Sequence, residues 1–110
     1  GGVYVFTNID GLNIEYTVEG EGYPVLLLHG WGSSFDVYNG IINTLKNRYK
    51  VFALNFPGCG RSDTMQNPWN LDDYCNLVLK FINTHHILYS THHIANCAMQ
   101  PAPHYQVPKR

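Results

Sequence analysis

Tyr4 to Thr7 and Leu12 to Glu19 are two runs of strand-forming residues, bounded by turn residues. Between them Asn8 to Gly11 is a turn, and its Asp10-Gly11 pair is a hairpin signal, so the two runs predict an antiparallel pair. Gly20-Glu21-Gly22 breaks the second run and Pro24 opens the next. Val25 to Leu28 then shows no alternation at all, as expected of a strand buried on both faces of a mainly parallel sheet.

Helical spacing follows. Ser34 suits an N-cap and Asp36 a first turn, and Tyr38, Ile41, Ile42 and Leu45 fall on one apolar face. Gly40 weakens that helix by about 1 kcal/mol relative to alanine. Asn47 closes it, with Lys46 and Arg48 at its carboxyl end. Lys50 to Leu54 reads as a second buried strand, and strand, helix and strand in that order imply a right-handed parallel crossover. After loops at 57–60 and 66–68, Asn70 caps a helix whose stripe is Leu71, Tyr74, Cys75, Val78, Phe81 and Ile82. Patterning is lost beyond Asn83, where Thr84-His85-His86-Ile87 recurs as Thr91-His92-His93-Ile94. Three prolines in the last ten residues oppose regular structure there. These features predict an α/β body over 1–84 and an irregular tail over 85–110.

Composition narrows the class. In 110 residues, 45% are hydrophobic and 14% charged, which fits one folded domain and not a disordered chain. A formal net charge of −1 favours neither nucleic acid nor an anionic membrane as partner, and the longest apolar run is too short to cross a bilayer. The three cysteines (Cys59, Cys75, Cys97) form no pair at a redox or zinc spacing, so a reducing, cytoplasmic setting is expected, with Cys75 a small apolar packing residue. The chain opens with Gly1-Gly2 and shows no basic-then-apolar leader.

Candidate chemistry sits in two segments. Val25-Leu-Leu-Leu-His-Gly-Trp-Gly32 is a buried strand that breaks into a glycine-rich turn, leaving backbone N–H groups at the sheet's carboxyl edge. Asn55-Phe-Pro-Gly-Cys-Gly-Arg-Ser-Asp63 follows the next strand. With the strand–helix–strand between them, these segments resemble the amino-terminal part of the α/β-hydrolase fold superfamily. The resemblance implies an incomplete α/β-hydrolase sheet and, as inherited chemistry, hydrolysis of an ester, amide or other small acyl substrate without a cofactor or metal. It places the backbone N–H of Trp31 in an oxyanion hole, with the Trp31 indole on the pocket wall. His29, Gly30 and Gly32 are carried over as substrate-binding neighbours that let the loop bend. Arg61 and Ser62 are expected to be structural.

Departures from the family pattern bound the expectation. Asn55 stands where the family usually has Asp, which removes a charge and keeps hydrogen bonding. No Gly-x-Ser-x-Gly occurs, so the nucleophile elbow is not identifiable. By spacing the nucleophile falls near 95–98, which singles out Cys97; Ala95 meets the elbow's need for a small residue before it, and Met99 violates the one after. The acid and histidine of a triad come later still in the family, and His104 is the last histidine here. The expectation is a hydrolase chain cut short, or read out of frame near residue 84, and inactive alone. Such a chain would leave the Val25–Leu28 strand edge open and prone to self-association. Two other readings compete: a non-catalytic ligand- or partner-binding module, and metal binding by His85, His86, His92 and His93, whose pairs lack Cys or carboxylate companions.

Overall fold

The computed structural model describes residues 4–30 and 32–87 and the backbone of 93–95. Strands β1 (Val5–Ile9) and β2 (Leu12–Glu19) form the expected hairpin. Its turn is only the two residues Asp10 and Gly11, with φ of 52° and 86°. Strand β1 thus runs two residues further than the sequence suggests, because Ile9 is drawn into the core at 4% exposure.

Strand β3 (Tyr23–Leu28) pairs in parallel with β4 (Tyr49–Leu54), and β2 lies antiparallel on the far side of β4. A further strand, β5 (His93–Ala95), pairs in parallel with β3, giving the order β1-β2-β4-β3-β5. The segment read as an irregular tail therefore contains three residues in the sheet, and they cover the β3 edge at Val25–Leu27 that was expected to stand open. Packing also continues past residue 84, since Ile87 is 3% exposed against the core.

Alternate residues of β3 serve opposite faces, as period-two geometry requires. Leu26 and Leu28 pack beneath helix α2 (Leu71–Thr84) with Phe52, Leu54, Phe81 and Ile82. Val25 and Leu27 face Tyr38, Ile42, Val51 and Ala53 on the other side. Asn70 caps α2 through a full capping box with Asp73: the Asn70 side chain accepts from the Asp73 N–H, and the Asp73 carboxylate accepts from the Asn70 N–H. The buried stripe is Tyr74, Leu77, Phe81 and Ile82, so Cys75, expected to pack inward, is exposed.

The helix after Ser34 differs similarly. Ser34 caps it, its hydroxyl accepting from the Asp36 N–H, but the first turn, Phe35–Tyr38, is a 3-10 helix. Helix α1 proper is Asn39–Leu45. The tighter turn shifts the helical phase, which buries Tyr38 and Ile42 and leaves Ile41 exposed. No described helix is long and apolar enough to cross a membrane.

Candidate active-site loop

Parallel pairing brings Leu28 and Leu54 level, so the segments that follow β3 and β4 emerge side by side at the carboxyl edge. This edge is where open α/β sheets place their ligands. The first segment, 29–34, is the glycine-rich loop; the second, 55–69, begins with Asn55 and Phe56.

One hydrogen bond fastens the start of the first loop to the second, and another holds the same side chain within the first loop. The Phe56 N–H donates to Nε2 of His29 at 3.0 Å, and Nδ1 of His29 donates to the Gly30 carbonyl at 2.7 Å. An acceptor at Nε2 and a donor at Nδ1 define one neutral tautomer. Burial pushes the His29 imidazole below its ordinary value of 6.5, against a smaller upward pull from the Gly30 carbonyl. At 1% exposure, His29 lies beneath the loop with both nitrogens committed to backbone. At the other end of the loop, the Phe35 N–H donates to Oδ1 of Asn55 at 2.8 Å.

Between these anchors the Gly30 carbonyl also accepts from the Ser33 N–H at 3.3 Å, closing a tight turn. Gly32 has φ of +69°, a left-handed conformation that side chains resist. Among the described residues its N–H has no hydrogen-bond acceptor. Trp31 and Cys97 lie outside the described residues, as do the side chains of His92 and His93.

Beneath Asn55 lies a polar cluster that sequence patterning did not expose. The Glu15 carboxylate, on β2, is buried at 2% exposure. Its Oε1 accepts from Nδ2 of Asn55 at 2.9 Å and from the Arg61 N–H at 2.8 Å, while Oε2 pairs with the Arg61 guanidinium at 3.3 Å. Arg61 lies over the Tyr4 ring, 3.5 Å from its centroid, and bonds the Tyr4 hydroxyl. Ser62 donates to the Asn55 carbonyl at 2.7 Å and accepts from the Glu15 N–H at 2.8 Å. Gly60 closes over the cluster with φ of +51°; a Cβ there would lie 2.1 Å from Nδ2 of Asn55.

These contacts explain the departure at Asn55. An aspartate in its place would set a carboxylate oxygen 2.9 Å from Oε1 of Glu15, a like-charge contact where Asn55 now donates. Arg61 and Ser62 hold the fold of the second loop, in line with the structural role expected of them.

No nucleophile–base pair is formed around this edge among the described residues. Among the described residues no serine or cysteine is hydrogen-bonded to a histidine, and both bonds of the Ser62 hydroxyl are to backbone. Burial pushes the Cys59 thiol up, away from the reactive thiolate. A groove of about 510 Å³ between the hairpin turn, residues 65–69 and α2 is lined by no residue of the glycine-rich loop. No group of three or more potential metal ligands occurs among the described residues.

Known proteins share this framework. Over 72 residues the chain is 33% identical to the pimeloyl-(acyl-carrier protein) methyl ester esterase of Methylococcus capsulatus, covering 66% of this chain and 27% of that protein. It is 36% identical over 55 residues to a soluble epoxide hydrolase of Corynebacterium sp., covering 50% of this chain and 19% of that one. The crystal structure of an α/β hydrolase fold protein from Burkholderia ambifaria superposes with a TM-score of 0.72 at 29% identity, over 76% of this chain and 31% of that one. The chain thus spans about a quarter of the length of the first of these relatives. The family model of the alpha/beta hydrolase fold matches residues 23–94, from the start of β3 into β5. Strand, glycine-rich loop, crossover and second loop therefore make this chain a member of the α/β hydrolase fold family.

Proposed function

We propose that this chain carries the oxyanion-binding half of an acyl hydrolase site, and that it is part of a longer hydrolase of esters or similar small acyl compounds. One observation carries the reading: the 29–34 loop is pinned at both ends to the segment after β4, which fixes its backbone donors in advance. The Gly32 N–H, without an acceptor among the described residues, is one such donor, and Trp31 would supply the other. The methyl ester esterase among the relatives favours an ester over an epoxide. Backbone N–H groups held in place stabilise charge developing on a carbonyl oxygen, but they supply no attacking group.

Two measurements test this reading on the 110-residue chain. Methylphosphonate, a small tetrahedral anion, should shift the Trp31 and Gly32 amide resonances at millimolar concentration; unchanged resonances overturn the oxyanion assignment. A chromogenic acetyl ester should show no turnover above buffer, and clear turnover overturns the expectation that the chain is inactive alone.

A second reading has one observation in its favour. Strand β5 ends at Ala95 beside β3, and Cys97 comes two residues later in the sequence, a spacing that suits a strand leading into a nucleophile elbow. Its thiolate would attack the ester carbonyl and expel the alkoxide or phenolate, leaving a thioester. An acetyl group found on Cys97 after ester treatment, absent from Cys97→Ala, would establish it; an unmodified Cys97 dismisses it.

A further inference from the structure

We propose that Glu15 is a positioning residue for the glycine-rich loop, acting from β2 through the Asn55 amide. Among the described residues it makes no hydrogen bond to 29–34 itself. The path has two bonds: Oε1 of Glu15 accepts from Nδ2 of Asn55 at 2.9 Å, and Oδ1 of the same amide accepts from the Phe35 N–H at 2.8 Å.

An amide has one donor end and one acceptor end, so fixing one fixes the other. Without Glu15 the Asn55 side chain could present either end to Phe35, and only one of them can accept. The Glu15 carboxylate, acceptor-only when paired with Arg61, removes that choice. Gly60 presses against the donor end, where even a Cβ would lie 2.1 Å from Nδ2, which holds the amide plane over Glu15. Glu15 is itself held in place, since its backbone N–H donates to Ser62 and its carbonyl accepts from the Asn55 N–H at 2.9 Å. Burial at 2% exposure keeps water from competing for these bonds. A carboxylate on one strand thereby sets the end of a loop that begins two strands away in the sheet.

The inference rests on the oxyanion reading for its purpose but is measured independently of it. Methylphosphonate reports on Trp31 and Gly32 as donors, whereas amide hydrogen exchange at Phe35 reports on the clamp, so either result can fail alone. In Glu15→Ala the Phe35 amide should exchange about tenfold faster or more, as expected when a buried hydrogen bond loses its support. The Leu26 and Phe52 amides, in the middle of β3 and β4, should keep their protection. Glu15→Gln retains a carbonyl oxygen facing Asn55 and should restore Phe35 protection.

Unchanged Phe35 exchange in Glu15→Ala overturns the proposal. So does a loss shared equally with Leu26 and Phe52 and not restored by Glu15→Gln, the behaviour of a merely structural residue. If Glu15→Ala does not fold, the Asn55 side-chain amide of the parent chain decides: the Nδ2 proton held by Glu15 should exchange about tenfold more slowly than that of the exposed Asn67, and equal exchange overturns the proposal.

Discussion

Two histidines, near opposite ends of the central strands, show how differently one side chain can be buried. His29, after the carboxyl end of β3, gives one nitrogen to a carbonyl and takes an N–H on the other. His85 follows α2 and packs among rings: Phe81 at 4.3 Å, Tyr16 at 4.7 Å and Phe52 at 5.9 Å between centroids. Its Nε2 is buried and finds no partner among the described residues. Burial lowers both imidazoles below 6.5; for His85 the nearby charges of His86 and Lys50 add to the effect. The lesson is that burial alone says little about a polar residue's role. At the loop, desolvation is offset by directional bonds that shape a site, while beneath α2 the ring serves as packing and its spare nitrogen is a liability.

Four substitutions probe this contrast. The largest effect is expected for Gly60→Ala, whose Cβ would collide with Asn55 at a positive φ. A loss of about 3 kcal/mol should appear as a lower urea midpoint with the slope unchanged. A midpoint equal to that of the parent would mean the cluster under the loop yields freely. Next comes His29→Phe, which strands the Phe56 N–H and one bond of the Gly30 carbonyl and should cost about 2 kcal/mol in the same titration.

The same change at the other site, His85→Phe, should be neutral or mildly stabilising at pH 8. If both Phe variants lose stability alike, the contrast is void. His85→Phe should also flatten the pH dependence of unfolding. Between the ordinary 6.5 and its lowered folded value, the unfolded chain binds a proton that the folded chain refuses. Stability is therefore full above about 6.5 and declines as pH falls below it. His29 contributes a slope of the same sign, so part of the decline should persist in the variant. The smallest effect belongs to Lys80→Ala, which removes the exposed ion pair with Asp10; thermal melts should place it within about 0.5 kcal/mol of the parent.

Features set by neighbours in the chain were legible before any coordinates. The Asn70 cap, the Asp10-Gly11 turn and the uninterrupted apolar run of β3 depend on residues a few positions apart, and each stands where the pattern places it. Helix phase was less legible: α2 buries Leu77 where the apolar spacing points to Cys75, and the 3-10 turn at Phe35–Tyr38 leaves Ile41 outside. The site was legible only in part. His29 and the glycines stand out as a motif, but the backbone commitment of His29 needs Phe56, 27 residues later. Glu15 was invisible for a deeper reason. An acidic residue in an alternating strand looks solvent-facing, and only Asn55 and Arg61, 40 and 46 positions away, give it reason to be buried.

That separation carries a kinetic consequence. The β1–β2 hairpin and α2 close short stretches of chain, whereas Glu15 must find partners at distances of 40, 46 and 47 residues. Closing long loops costs entropy before any contact rewards it, so hairpin and helix are expected to form early and the Glu15 contacts late. On a ribosome, the tether for Phe35 would stay absent until Asn55 emerged. The tethered end of the glycine-rich loop would then be among the last pieces of the carboxyl edge to acquire its shape.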